Sequence, residues 1–347
     1  MKSEDEATMD AAALIDEAPE PDYNRLQTLA TAYRQSALLF AGIELGVFEQ
    51  LDGKGRTAED LAQSLGLERV PAGLLLNGLV SLGVLDREDG CYRVPARFRI
   101  LVSGEDYFGD QLMLHKSQNE SWLQLAAILR GVRIGPSYES QLLVSDRVPS
   151  YLDSIEKANR AHADRLLTYL RPLLEGADRI LDVGGGHGYH ARRIVADTSR
   201  ATVTILDLER AVDYARQRLA DLLPTGRIEL VVGDALTHDT TEAFDVVMVN
   251  DVLHYFDASQ QLEILSRAAR AVRCGGTLLV SKFRLSADGT EPMHSSLFSL
   301  KMYVNTLRGY LSSDVETAEQ FRSLNLDSVQ CVPFGADKTV VVGYKRK

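Results

Sequence analysis

Two sets of residues have the types and spacing for chemistry: a glycine run with acids at three successive strand ends, and a histidine in a polar segment farther along. In Ile180-Leu181-Asp182-Val183-Gly184-Gly185-Gly186-His187-Gly188, an apolar strand carrying one acid empties into a cluster of glycines. Glycine is needed where the backbone bends sharply with positive φ and a ligand must approach closer than a Cβ allows. The run is therefore shaped to hold a nucleoside. Gly186-His187-Gly188-Tyr189-His190-Ala191 also satisfies the dinucleotide pattern G-x-G-x-x-A, which seats a pyrophosphate on a helix N-terminus. Asp182 argues against that ligand, because a carboxylate beside the loop repels phosphate and suits an amino group or a sulfonium. Asp207, after Val203-Thr204-Ile205-Leu206, reads as the acceptor for ribose hydroxyls. Asp234, after Leu230-Val231-Val232-Gly233, can accept from an adenine amino group.

These acids need a scaffold that brings strand ends together. Hydrophobic periodicity predicts strand 179–183, helix 188–197, strand 202–206, helix 209–221, strand 228–232, strand 244–249, helix 258–273 and strand 277–283. Such alternation means a Rossmann-like, doubly wound and largely parallel α/β sheet, with its ligand at the carboxyl ends of the strands. Helices near Ser296 to Asn305 and Ala318 to Leu324 follow, then two strands, Ser328 to Pro333 and Thr339 to Tyr344, that pair as an antiparallel hairpin.

The N-terminal part is mostly α. Helical spacing runs from Leu26 to Phe48, Thr57 and Asp60 form a capping box, and a second helix spans Pro71 to Leu82. Val84-Leu85 and Tyr92-Arg93-Val94, joined through an acidic turn from Asp86 to Gly90, complete a winged helix. Winged helices raise the alternative of a DNA-binding regulator. Between Val70 and Gly83 there is no Lys or Arg to anchor phosphate or read bases, and the leucines there point to packing. Helices over Tyr107 to Gly131 and Tyr151 to Leu174 link the two parts. His115, Gln118, Asn119 and Trp122 fall on one face of the first and could wall a pocket. The expected division is a tail over 1–22, a winged-helix domain over 23–105, linking helices over 106–175 and a catalytic domain over 176–347.

Taken together, Ile180 to Gly188, Asp207, Gly233-Asp234 and Asn250-Asp251-Val252-Leu253-His254 resemble the S-adenosylmethionine site of class I methyltransferases. From about residue 30 to 347 the chain is similar to the O-methyltransferase family of secondary metabolism, whose members carry a winged-helix dimerisation domain and end in an antiparallel hairpin. The resemblance implies a homodimer and S-adenosylmethionine held by Asp182, Gly184, Gly186, Asp207, Leu208, Gly233, Asp234, Ala235 and Asn250. It implies methyl transfer to a small or medium metabolite, at oxygen first, with carbon or nitrogen as alternatives and a non-methylating reaction as a third. His254 matches the family's general base, a role that suits imidazole because its pKa lies near working pH.

Two departures from the family pattern alter the chemistry. Tyr255 stands where the family has Asp, and Lys282 stands where plant members carry a Glu that orients the base. A histidine facing a cation is harder to protonate. Lys282 is therefore expected to serve as an anchor for a substrate carboxylate or phosphate. Relatives that methylate carbon hold a metal with two histidines and an acid; His254 and His294 fit two of those places, but Tyr255 removes the acid, and no metal is expected. His115, Asn119, Trp122, Tyr255, His294, Met302 and Asn305 are the expected pocket residues. His187, Tyr189 and His190 flank the cofactor loop.

Composition agrees. The chain has 347 residues, net charge −11 and three scattered cysteines, too few for a disulfide framework. No apolar run reaches membrane-spanning length and the N-terminal residues lack a basic region followed by an apolar one, so a cytoplasmic enzyme without membrane or nucleic-acid partners is expected. The acid-rich leading segment reads as a solvated, mobile tail.

Overall fold

The computed structural model describes residues 22–104, 106–132 and 148–346, and the acidic tail expected over 1–22 lies almost entirely outside them. The chain forms two compact units, one ending at Met113 and one beginning at Leu114.

In the first unit the helix expected over Leu26 to Phe48 is three: α1 (Tyr23–Thr31), α2 (Tyr33–Glu44) and α3 (Val47–Gln50). The second break has a local cause, since Gly46 takes φ 72, which ends α2 and redirects the chain. α4 (Ala58–Leu65) starts on the expected capping box: Thr57 Oγ1 accepts from the Asp60 N–H at 3.2 Å, and the Asp60 carboxylate accepts from the Thr57 N–H at 3.3 Å. α5 (Arg69–Ser81) begins two residues earlier than expected and so includes Arg69, which pairs with Glu59 at 2.6 Å. The wing is β1 (Asp86–Glu88) and β2 (Cys91–Arg93), so residues expected as an acidic turn are themselves a strand. Pairing of Glu88 with Cys91 leaves only Asp89 and Gly90 for the turn. Both have positive φ, as a tight two-residue hairpin requires. Val47, Phe48, Leu61, Leu76, Leu79 and Tyr92 form the core, while Tyr23, Leu26, Leu29 and Tyr33 stay exposed.

The boundary between units falls inside α6 (Gly109–Leu123). The helix expected to Gly131 is interrupted there and resumes as α7 (Leu125–Leu129). The second unit continues with α8 (Val148–Glu175), β3 (Arg179–Val183), α9 (Tyr189–Asp197), β4 (Thr202–Asp207), α10 (Glu209–Arg218) and β5 (Ile228–Val232). It then runs through β6 (Phe244–Asn250), α11 (Ala258–Ala271), β7 (Val272–Phe283), α12 (Met293–Thr306), α13 (Asp314–Ser323), β8 (Leu326–Phe334) and β9 (Lys338–Lys345). The sheet order is β5-β4-β3-β6-β7-β9-β8, parallel through β7 and antiparallel for the last two strands. All seven residues of β6 are buried. Val246 and Met248 point to one apolar layer, with Leu166, Ile194 and Ile205. Val247 and Val249 point to the other, with Ile264, Leu265 and Phe321.

Asp245 locks β6 to β3. Its Oδ2 accepts the Asp178 and Arg179 N–H groups, each at 2.8 Å, and its Oδ1 pairs with Arg273. Asp245→Ala leaves both N–H groups without their acceptor and Arg273 without its partner, and urea denaturation should show a loss of about 1–2 kcal/mol. An unchanged unfolding midpoint would contradict this assignment.

Candidate active site

The loop between β3 and α9 is closed by backbone rather than side chains. Gly184, Gly186 and Gly188 have φ of 72, 31 and 75. A Cβ on Gly184 would lie 2.3 Å from Val252 Cγ2, and one on Gly185 would lie 2.8 Å from Asp182 Oδ2. The Gly184 N–H donates to the Leu206 carbonyl at 2.8 Å, which ties the loop to the end of β4. There the Asp207 carboxylate accepts from the Gly186 N–H at 2.8 Å and the Leu208 N–H at 2.7 Å. The Gly233 N–H donates to the Asp207 carbonyl at 2.9 Å, so the turn after β5 sits against the same edge. Asp234 is exposed, with Oδ1 accepting the Leu236 N–H at 2.9 Å; Ala235 beside it is half-buried.

Asp182 is fully buried, and its Oδ2 has no hydrogen-bond partner. The nearest polar neighbours are Asn250 Nδ2, 3.5 Å from Oδ1, and His190 Nδ1, 4.0 Å from Oδ2. Burial, then the charge of Asp207, pushes its carboxyl up to about 7. His190 is driven down to about 3 by burial and then by His187, and His187 down to about 4 by burial. His187 Nδ1 accepts the Tyr189 N–H at 3.1 Å, a bond that the neutral ring alone can make. Asp251, directly after β6 with φ 53, is the acid whose field reaches His162, His187, His190 and His254. Burial is the largest influence and opposes its ionisation, but Lys338, with Nζ at 2.6 Å, His254 and His162 together lower the carboxyl. Lys338 also lies 3.5 Å from the centroid of the Phe283 ring.

This edge fits S-adenosylmethionine. The orphaned oxygen of Asp182 awaits a donor or a positive charge, the Asp207 carboxylate is aimed by two N–H groups, and the glycine cradle leaves space that a Cβ would fill. Asp182, Gly184, Gly186, Asp207 and Asn250 are brought together here, with Leu208, Gly233, Asp234 and Ala235 on adjoining turns.

His254 lies in a short 3-10 turn, Leu253–Tyr255, and is 6% exposed. Its ring centroid is 4.5 Å from that of Tyr255 and 5.1 Å, edge-on, from Phe298 of α12. Burial first, then Lys338 and Lys301 against the opposing pull of Asp251, bring it down to about 4. It is a neutral imidazole at neutral pH. The Tyr255 hydroxyl bonds that of Tyr151 on α8.

Lys282 and His254 border the same small cavity, with Asp251, Ser281 and Ser312. The Lys282 ammonium is engaged elsewhere, however: Nζ is 2.9 Å from Asp314 in the first turn of α13, and Asp314 also accepts the Leu285 N–H at 3.3 Å. Strand alternation accounts for this, because Ser281 turns toward His162 at 3.4 Å and Lys282 turns to the opposite face. The cations acting on His254 are Lys338 and Lys301, neither of which stood out in the sequence.

His294 is exposed. Its ring is 5.7 Å from Phe283, which is 4.5 Å from Phe298, so two phenyl rings link it to His254 rather than a shared metal position. Among the described residues no group of three His, Cys, Asp or Glu side chains is placed to hold a metal. Met302 and Asn305 are buried on α12. On α6, Gln118 is buried and Trp122 half-buried, while His115 and Asn119 keep exposed surface. His115 is lowered by partial desolvation and by Lys301, which brings α6 and α12 to the same region.

The protonation state of Asp182 can be tested directly. At pH 6 a carboxyl titrating at about 7 carries its proton, and a positive ligand stabilises the anion and expels that proton. Calorimetry of S-adenosylmethionine binding at pH 6, in buffers of different ionisation enthalpy, should report release of roughly one proton. Asp182→Asn should abolish it, and buffer-independent heats for the wild type would refute the assignment.

Comparison with known proteins agrees with this geometry. The O-methyltransferase domain family matches residues 135–323, and the O-methyltransferase dimerisation domain matches residues 27–99. The chain is 30% identical to the 3-hydroxy-5-methyl-1-naphthoate 3-O-methyltransferase of Streptomyces sahachiroi, over 92% of this chain and 94% of that enzyme. It is 28% identical to the N,N-dimethyltransferase OxyT of Streptomyces rimosus, over 88% and 90%. An O-methyltransferase family structure from Burkholderia thailandensis superposes with a TM-score of 0.84 at 29% identity, covering 94% of this chain and 99% of the other. These matches agree with the glycine cradle lined by acids, and the chain belongs to the O-methyltransferase family of S-adenosylmethionine-dependent methyltransferases.

Proposed function

We propose that the chain methylates a hydroxyl group of an aromatic metabolite in natural-product biosynthesis, with His254 as the base. The observation that carries this reading is a neutral, buried imidazole set among the rings of Tyr255 and Phe298, with Phe283 behind them. Flat aromatic walls suit an aromatic acceptor. The naphthoate-methylating relative acts on a substrate of that kind.

S-adenosylmethionine, when bound, supplies an electrophilic methyl group on a sulfonium. His254 takes the hydroxyl proton as the acceptor oxygen bonds to that methyl carbon, and the electron pair of the broken carbon–sulfur bond stays on sulfur. The imidazolium so formed is favoured by Asp251 and disfavoured by Lys338 and Lys301. It therefore returns its proton to water readily. A base with so low a pKa accelerates the reaction modestly, and alignment of the acceptor supplies the larger share. The tie between Tyr255 and Tyr151 stands where the family carries its acid, and holds α8 beside the base.

His254→Ala should keep S-adenosylhomocysteine affinity and lose about 10²-fold or more in kcat. Because the wild-type histidine titrates at about 4, kcat/KM for the acceptor, measured with S-adenosylmethionine saturating so that Asp182 stays ionised, should show no acid limb between pH 8 and 5.5. Turnover within a few fold of wild type in the variant would show that proximity alone suffices.

We also infer a cytoplasmic homodimer that binds no nucleic acid, with the functional parts divided at 23–105, 106–175 and 176–347. The matched dimerisation domain and the exposed Tyr23, Leu26, Leu29 and Tyr33 of α1 and α2 support the dimer. The pairing of Arg69 with Glu59 leaves α5 poor in charge for phosphate. No helix among the described residues is long and apolar enough to cross a membrane. Sedimentation should give a dimer, and Leu26→Glu with Leu29→Glu should give a folded monomer. A monomeric wild type would overturn this inference.

A further inference from the structure

The region around His254 contains three lysines drawn well out of water, and two are matched by acids: Lys282 by Asp314 at 2.9 Å and Lys338 by Asp251 at 2.6 Å. Lys301 is the third. Among the described residues no carboxylate pairs with it, and its ammonium is lowered by burial with no counter-ion to offset the loss of water. A cation in that state costs free energy until an anion reaches it.

Its position gives that anion a place. On α12, Lys301 lies one turn beyond Phe298, and Nζ is 5.6 Å from the centroid of the Phe298 ring. The same ring stands edge-on to His254 at 5.1 Å, and the charge of Lys301 is felt at both His254 and His115. The base and the unmatched ammonium thus both lie against one phenyl ring. Partial desolvation and then the charge of Lys301 lower His115, whose side chain is hydrogen-bonded to Gln118.

We propose that Lys301 is the anchor for a carboxylate on the aromatic acceptor, so that the enzyme selects hydroxyarene carboxylates over their neutral counterparts. The proposal rests on the hydroxyl-methylating reading above. It moves the anchoring role from Lys282, whose charge Asp314 already takes up, to Lys301 on the helix that faces the base. The anchor fixes the ring at its far end, and the hydroxyl at the near end is thereby aimed at His254.

The test uses the full-length enzyme saturated with S-adenosylhomocysteine. It is titrated calorimetrically with 3-hydroxybenzoate and 3-hydroxy-1-naphthoate, and with the carboxamide of each. Wild type should bind at least one acid roughly tenfold more tightly than its amide, Lys301→Met should bring that ratio toward one, and Lys301→Arg should keep most of it. No preference in the wild type, in either series, overturns the proposal whether or not the variants fold. A preference that survives in folded Lys301→Met overturns it as well. Parallel assays of methyl transfer separate the two readings. An acid preference that depends on Lys301, without methylation of any hydroxyl, upholds the anchor and defeats the hydroxyl-methylating reading. Equal methylation of acids and amides upholds that reading and removes the anchor.

Discussion

Charge withdrawn from water at one edge of a parallel sheet is the constraint on which the rest of the site depends. β6 is buried on both faces along its length, so Asn250 at its carboxyl end meets Asp182 of β3 where little solvent reaches, and Asp251 follows directly. Each ionisable group there must find a partner or give up its charge. Asp251 has found Lys338, Asp182 has found no adequate partner and moves toward its neutral form, and the nearby histidines remain unprotonated. The outcome is a site short of positive charge around Asp182 and supplied with it around His254. A cationic cofactor and an acceptor that must shed a proton call for that distribution.

The glycine loop is the mechanical counterpart. Asp207 could be aimed by side chains, but here Gly186 and Leu208 aim it with backbone N–H groups, and Gly184 is stitched to β4 by its own N–H. A loop fixed through backbone leaves no side chains in the cofactor's path. Those same glycines let Val252, which leads into the turn carrying His254, pack directly on the loop. The glycine loop and the turn that carries His254 are thereby in van der Waals register.

How much of this was legible in the sequence varied with the range of the interaction that decides it. β3 and β5 fall where their apolar runs place them: β3 is buried at four of its five residues and leaves a continuous signal, and β5, at the sheet edge, keeps an apolar run although Glu229 and Val232 are exposed. The capping box at Thr57 and Asp60 was readable since its partners are three residues apart. The break at Gly46 and the tight turn at Asp89-Gly90 were not, because helical periodicity continues through the first and acidity mimics a loop at the second. The direction of Lys282 depends on strand alternation, which the sequence shows, and on the position of Asp314 across the fold, which it does not. Phe283, Phe298, Lys301 and Lys338 carry no local mark. Their importance comes from separations of tens of residues, where composition and spacing are silent.

The pair formed by Asp251 and Lys338 spans 87 residues of sequence. During synthesis the parallel strands that carry Asp182, Asp207 and Asp251 leave the ribosome well before β9, which must then insert antiparallel between β7 and β8. Until it does, Asp251 lacks the ammonium that offsets its charge. Completion of this edge is thus a late event in the life of each molecule. A nascent chain halted before position 338 has its glycine loop and His254, yet lacks that counter-charge.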